Sequence, residues 1–315
     1  MKILITTSSF GTIDPTPLNQ LKLSGIEIVM NPFGRKLNEM EVCELVRQHQ
    51  PVGILAGIEP LTEKVFDQSP NLCMISRVGT GLDSVDIDAA SRFSITVCNT
   101  PDSPTIAVAE LAVGMILCLS RMLHYSDSSI RVNKWNRPMG RLLNNKIVGI
   151  VGCGRVGSKV ADYLHGFGCT LLGYDQSAVN RDDIEFLDLE NLLSMSDIVT
   201  LHLPCSPETH NFIGRAEIGR MKQGSFLINS ARGGIVDECA LYEALESGFL
   251  GGAAIDCFEQ EPYLGPLKTA PNVLLSAHLG SYAKEARVMM ETEAVQNLIF
   301  HLRAQGLLPE SSASR

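Results

Sequence analysis

Ile147-Val148-Gly149-Ile150-Val151-Gly152-Cys153-Gly154-Arg155-Val156-Gly157 decides the fold of this chain. A β-branched run ends in G-x-G-x-x-G, and residues 158–167 continue with helical periodicity, so strand, tight turn and helix follow one another. In that setting Gly152 permits the turn, Gly154 lets a diphosphate approach the backbone, and Gly157 lets the helix pack on the strand. The N-terminus of the helix then presents N–H groups and a partial positive charge to an anion. Taken alone, the motif is an ordinary glycine turn. Asp175, eighteen residues past Gly157, closes the next strand, where a carboxylate can accept both hydroxyls of an adenosine ribose. The same carboxylate repels a 2′-phosphate. The stretch therefore reads as a dinucleotide site for NAD rather than NADP, a preference resting mainly on Asp175 that a cation at nearby Arg181 would blur.

Short apolar runs alternate with helical stretches on both sides of this motif. Strands are expected at 146–151, 170–174, 198–203, 225–229, 252–256 and 273–276. Ahead of them, 2–6, 27–30, 52–56, 72–77 and 95–98 read as five more. Helices are expected at 62–67 and 83–93, and Asn38-Glu39-Met40-Glu41 opens another with a capping pattern. A helical stretch from about 105 to about 133 joins the two series, and 284–304 is long enough to return to the first. Such alternation gives parallel sheets covered by helices. The expected class is α/β with two doubly wound parallel-sheet domains. A Rossmann domain at 102–287 is inserted into a flavodoxin-like domain made of 1–101 plus 288–315, and the polar tail 311–315 reads as frayed.

Composition narrows the function. The 315 residues carry 26 Lys+Arg against 35 Asp+Glu, a formal charge of −9, which argues against a nucleic-acid groove. Hydrophobic residues at 45% and charged residues at 19% suit a packed globular chain rather than a disordered one. The longest apolar run, 111–119, falls short of the ~20 residues of a membrane span and reads as a buried helix. Met1-Lys2-Ile3-Leu4-Ile5-Thr6-Thr7 turns polar too early for a signal peptide. Nine cysteines occur singly with no C-x-x-C pair, so neither a disulfide framework nor a metal site is expected, and the chain reads as reduced and cytoplasmic.

Three late segments end strands with titratable groups, on the edge where open parallel sheets bind ligands. They are Asn229-Ser230-Ala231-Arg232-Gly233-Gly234, Asp256-Cys257-Phe258-Glu259-Gln260-Glu261-Pro262 and Ser276-Ala277-His278-Leu279-Gly280. An Arg, a carboxylate and a His beside a nicotinamide are what reduction of a 2-keto acid requires. Arg232 can grip the substrate carboxylate bidentately, and His278 can pass a proton to the carbonyl oxygen. Glu261, bonded to the imidazole, would raise its pKa and fix its tautomer. Singly, each has a duller account as surface Arg, turn Glu-Pro or structural His. Only their joint occurrence favours catalysis. Among the other histidines, His202 stands out because it too sits at a strand end.

With these motifs together, the chain resembles the D-isomer-specific 2-hydroxyacid dehydrogenase family over essentially its full length, and within it the phosphoglycerate dehydrogenase branch. The resemblance implies a catalytic Arg232, Glu261 and His278, a nicotinamide contact at Asp256 with Ala231 nearby, and diphosphate contacts at Arg155 and Val156. Pro204 and Gly280 complete the implied cofactor contacts. Arg77-Val78-Gly79-Thr80-Gly81 is similar to the branch's substrate loop, where N–H groups around Val78 and Gly79 would bind the substrate carboxylate. Trp135-Asn136-Arg137 resembles a segment supplying a further Arg, often from a partner subunit. The implied substrate is a small anionic acid, with 3-phosphoglycerate first and phosphonopyruvate, hydroxypyruvate or glyoxylate as alternatives. A homodimer through 105–141 is implied, as is a short form without a regulatory domain that would answer to serine.

Two features bear on that substrate. Leu55-Ala56-Gly57-Ile58-Glu59 places an acid where the branch places a phosphate-binding Arg. Arg35, after the second strand, is expected to compensate by joining Arg77 and Arg137 in an anion pocket, the plainer reading being a solvated loop charge. A rival of another class is the corepressor relatives that use this fold as an NAD-sensing scaffold.

Overall fold

The structure, a computed structural model, describes residues 1–309 and divides into two compact units, Met1–Pro104 with the segment from Tyr282 on, and Thr105–Ser281. The tail expected to fray, 311–315, lies outside the described residues.

The first unit alternates β1 (Lys2–Ile5), α1 (Thr16–Leu23), β2 (Glu27–Met30), α2 (Glu39–His49), β3 (Gly53–Ala56), α3 (Glu63–Asp67), β4 (Met74–Arg77), α4 (Ile87–Arg92) and β5 (Thr96–Cys98). Its five strands lie parallel in the order β2-β1-β3-β4-β5. β1 and β3 are apolar and almost wholly buried, as strands covered on both faces must be. The expected box is present on α2, where Asn38 Oδ1 accepts the Glu41 N–H at 3.0 Å and Glu41 returns the bond to the Asn38 N–H at 2.9 Å. α1 carries no clear helix signal in the sequence, because its first turn holds Pro17, which is tolerated there but is typical of a loop. The helix expected at 83–93 starts only at Ile87. Asp86 caps it, and Val85 N–H instead closes a turn on the Leu82 carbonyl.

The second unit opens with α5 (Thr105–Ser120) and α6 (Leu123–Arg131), not one helix to 133. Met122 takes a left-handed conformation (φ 54°) and the two helices bend by 65°. β6 (Ile147–Val151), α7 (Arg155–His165), β7 (Thr170–Tyr174), β8 (Glu185–Phe186), α8 (Leu189–Met195), β9 (Ile198–Leu201), α9 (Arg215–Arg220), β10 (Phe226–Asn229), α10 (Glu238–Glu246), β11 (Gly252–Ile255) and β12 (Val273–Leu275) follow. The parallel sheet runs β12-β11-β10-β9-β6-β7-β8, one strand more than expected. β8 is two exposed residues, too short to carry an alternation signal. Inside the sheet, Val151, Val199, Leu201, Leu227 and Ile255 pack on one face, and Val148, Ile150, Ile228 and Ala254 on the other with Ala112 and Ile116 of α5. The long α11 (Lys284–Ala304) returns to the first unit, burying Ala294, Val295 and Leu298 and accepting the Ser76 hydroxyl on the Ala294 carbonyl at 2.9 Å. Among the described residues no single helix is long and apolar enough to cross a membrane, and the cysteines form no disulfide.

Candidate active site

Every strand of the second sheet points the same way, so the segments after β6, β7, β10, β11 and β12 emerge on one edge. After β6, Gly152 turns with φ 91°, and a Cβ on Gly157 would lie 1.9 Å from the Gly152 carbonyl oxygen. Only glycine permits that approach of α7 to the turn. A Cβ on Gly154 would meet nothing within 4 Å, and no side chain caps α7 there. Space and uncapped N–H groups at the end of an eleven-residue helix fit a diphosphate.

Asp175, just past β7, accepts the Cys153 N–H at 2.7 Å on one oxygen and the Ser177 N–H at 2.9 Å on the other. Each carboxylate oxygen keeps lone pairs for a ribose hydroxyl. Burial, with Asp175 alongside, pushes the Cys153 thiol up to about 11, so it stays a neutral part of the turn. Arg155 and Val156 form the first turn of α7. Pro204 is exposed after β9 and its carbonyl accepts the Thr209 hydroxyl at 2.7 Å. His202 keeps the structural reading. Its Nε2 lies 3.0 Å from the Thr200 hydroxyl, and burial pushes it down to about 4, hence neutral.

After β10, buried Asn229 folds the turn that carries Arg232. Its Oδ1 accepts the Ala231 N–H at 3.1 Å and its Nδ2 donates to the Arg232 carbonyl at 2.9 Å. A Cβ on Gly233 would stand 1.9 Å from the Phe258 carbonyl oxygen, so this loop packs directly on the one after β11. There Phe258 N–H donates to Glu261 Oε1 at 3.2 Å, Glu259 N–H donates to Glu238 Oε1 at 3.0 Å, and Phe258 stacks on Tyr263 at 4.2 Å. Glu261 meets His278 Nδ1 at 2.9 and 3.1 Å through its two oxygens. Burial raises the Cys257 thiol, which also senses the charges of Asp256, Arg232 and Glu261. The structure thus joins Glu261 to His278 and seats the Arg232 loop against them.

Asp256 departs from its expected nicotinamide contact. It has no exposed surface, and Oδ1 accepts from the Ser276 hydroxyl (2.5 Å) and Leu279 N–H (2.8 Å) while Oδ2 accepts from Gly280 N–H (2.8 Å). His278 N–H adds a bond to the Asp256 carbonyl at 2.8 Å, and His278 itself is left-handed (φ 55°). Asp256 is a clamp on the histidine turn. Gly280 likewise has its N–H committed to that clamp.

The first unit corrects three further expectations. Val78 N–H donates to the Ala56 carbonyl at 2.9 Å and Gly79 N–H to the Thr100 hydroxyl at 2.7 Å, so both amides are already engaged. The half-buried Arg77 folds back with Nη1 on the Val78 carbonyl. Arg35 grips Glu41 with both terminal nitrogens (2.9 and 2.6 Å), lies over the Phe33 ring at 5.1 Å, and holds the Glu41 carboxyl down at about 2. β1 and β3 lie between β2 and β4, which puts the strand ends leading to Arg35 and Arg77 roughly 14 Å apart. Glu59 is buried and accepts the Thr6 hydroxyl and the Gly57 N–H (2.9 Å), tying the ends of β1 and β3. Arg137 is exposed beyond α6. Sequence reasoning passed over Asn229, Glu238 and the Asp256 clamp; only Asn229 carried a signal, as a turn-forming side chain at a strand end.

Comparisons with known proteins show the family of this chain. Residues 113–280 match the family described as D-isomer specific 2-hydroxyacid dehydrogenase, NAD binding domain. A D-3-phosphoglycerate dehydrogenase of Synechocystis sp. is 37% identical over 305 residues, covering 94% of this chain and 53% of that protein. A glyoxylate reductase of Thermofilum pendens is 39% identical over 262 residues, covering 78% of this chain and 77% of that protein. The D-lactate dehydrogenase of Aquifex aeolicus, solved with NAD and lactic acid, superimposes with a TM-score of 0.82 at 27% identity, covering 97% of this chain and 96% of that one. The chain spans about half the length of several curated relatives it matches. With an NAD-type glycine turn, an Asp175 acceptor and a Glu261–His278 pair on one sheet edge, the chain belongs to the D-isomer-specific 2-hydroxyacid dehydrogenase family.

Proposed function

We propose that this chain interconverts a D-2-hydroxy acid and its 2-keto acid, with Arg232, Glu261 and His278 as the groups that handle the substrate. NAD, when bound, supplies or accepts the hydride. Arg232 holds the substrate carboxylate with its planar fork and so fixes the adjacent carbonyl. Because Nδ1 of His278 faces the Glu261 carboxylate, Nε2 is the nitrogen left to exchange a proton with the substrate oxygen. Reduction needs His278 protonated and oxidation needs it neutral. The observation that carries this reading is the Glu261–His278 bond pair at 2.9 and 3.1 Å on the edge that bears the diphosphate turn.

3-Phosphoglycerate, with 3-phosphohydroxypyruvate as its keto form, is the first substrate we propose, supported by the relatives of that name, which are 37% and 34% identical to this chain. Glyoxylate is a specific second reading. It is favoured by Arg35 being paired with Glu41, by the acid Glu59 at the end of β3, and by the 39% identical glyoxylate reductase. We further infer a cytoplasmic homodimer built on the helical segment that opens the second unit. Leu123, Ile130, Val132, Leu142, Trp135 (82% exposed) and Met139 (94% exposed) leave an apolar surface that a second copy would bury.

NADH oxidation with 3-phosphohydroxypyruvate, hydroxypyruvate, phosphonopyruvate, glyoxylate and pyruvate tests the reading, beside His278→Ala as control. Preference for the phosphorylated acid supports the first substrate, and preference for glyoxylate supports the second. Tight NADH binding with no turnover of any acid would refute the dehydrogenase reading in favour of a scaffold. Sedimentation of the full chain as a monomer would refute the dimer.

A further inference from the structure

Arg181 lies in the stretch between β7 and β8, on the same corner as Asp175, and its charge is felt at the Cys153 thiol whose N–H Asp175 holds. A cation there would ordinarily welcome the 2′-phosphate of NADP. This one is committed elsewhere. Asp183 takes its Nε at 3.0 Å and Nη2 at 2.6 Å, Asp162 on α7 takes Nη2 at 2.8 Å, and the Ser158 carbonyl takes Nη1 at 2.8 Å. Four N–H bonds fix the planar fork, and its side chain is only 19% exposed. Donation to Asp183 first, and to Asp162, holds the guanidinium pKa far above its usual value. Lys159 faces the other oxygen of Asp162 at 3.5 Å. Counting Asp162, Asp175 and Asp183 against Arg181 and Lys159, the corner stays one charge negative.

We propose that Asp162 and Asp183 set the nucleotide selectivity of this chain by sequestering Arg181, a latent phosphate-reading group, away from the 2′ position of the ribose. The proposal rests on the reading of Asp175 as the ribose ligand. NAD, with no phosphate there, meets only the acceptors of Asp175. NADP meets a net negative corner whose best counter-charge is already spent.

The test reads binding, not turnover. NADH and NADPH are titrated into the full-length chain by nicotinamide fluorescence, with 2′-AMP as competitor. Wild type binds NADH about 100-fold tighter than NADPH. In D162N/D183N, NADPH binding tightens about tenfold and NADH binding stays within about twofold, because the freed fork gains charge-assisted bonds to the phosphate. Adding Arg181→Ala abolishes that gain. A gain that survives without Arg181 overturns the proposal, since loss of negative charge alone would then explain it. No gain with Arg181 present overturns it too, as does weaker NADPH binding by Arg181→Ala in the wild-type background. Thermal melts confirm that each variant is folded. Asp175→Ala separates the premise: unchanged NADH affinity there means the ribose reading itself fails, whatever the aspartates do.

Discussion

Asp256→Asn removes one oxygen from the chain and should damage the active site without touching substrate or cofactor. The carboxylate accepts three bonds from one turn, two on Oδ1 and one on Oδ2, in a site with no exposed surface. Asn offers a single acceptor oxygen. With that oxygen toward Ser276 and Leu279, the new NH₂ confronts the Gly280 N–H. With the amide flipped, it confronts the Leu279 N–H, while the Ser276 hydroxyl can rotate to accept. Either way a buried N–H loses its acceptor, at about 1–3 kcal/mol. The surviving bonds also lose their charge assistance, which brings the total to roughly 2–4 kcal/mol. For a unit of this size each kcal/mol is about 2–4 °C, so melting should fall by roughly 5–15 °C. His278 sits between Asp256's partners and donates its own N–H to the Asp256 carbonyl, so kcat should fall about 10–100-fold as the imidazole loses its aim. Thermal denaturation and steady-state kinetics on the same preparation check both. Wild-type melting with unchanged kcat and a raised KM for NADH would refute the reasoning and restore the nicotinamide contact.

Glu261→Gln keeps the bond to Phe258 N–H but replaces the carboxylate facing His278 Nδ1 with a neutral amide. The rate of keto-acid reduction should drop about 10²-fold with NADH affinity unchanged, as measured by kinetics beside fluorescence titration. Arg35→Ala should change KM for 3-phosphohydroxypyruvate by less than about twofold, because its fork is spent on Glu41 in an exposed pair; a large, phosphate-selective rise would reinstate the anion pocket. His202 carries a pH prediction. Its folded value of about 4 lies below the ordinary 6.5, so the unfolded chain binds the extra proton first. Stability is therefore full above about pH 6.5 and declines as pH falls toward 4, by on the order of 3 kcal/mol. His202→Gln should flatten denaturant-unfolding free energies across that window, and an unaltered acid limb would count against it.

The parts of this molecule that could be read from the chain are those where one residue type answers one local demand. Gly157 is required by a 1.9 Å approach, and Asn38 with Glu41 closes a box three residues long, so short windows of sequence show both. The alternation of apolar runs and helices gives two parallel sheets for the same reason, since each strand must be covered on both faces. Boundaries fared worse where a local competitor intervened, as when Asp86 took the helix start from residue 83.

Legibility ended where a side chain's partners lie far along the chain. Asp256 ends a strand beside a predicted nicotinamide site, and nothing within its own segment says that its oxygens turn toward Ser276, Leu279 and Gly280 some twenty residues on. Arg35 and Arg181 fail in the same manner. Each is a basic residue near a sheet edge, and what separates an anion reader from a spent cation is whether Glu41, or Asp162 with Asp183, reaches it first. A guanidinium already held by a carboxylate at 2.6–2.9 Å must give up a charge-assisted bond before it can take a ligand phosphate, so charge type alone overstates the anion-binding capacity of such a surface. The proposed selectivity at Arg181 follows the same logic: losing both Asp162 and Asp183 would free the arginine, while the strands that present it stay as they are.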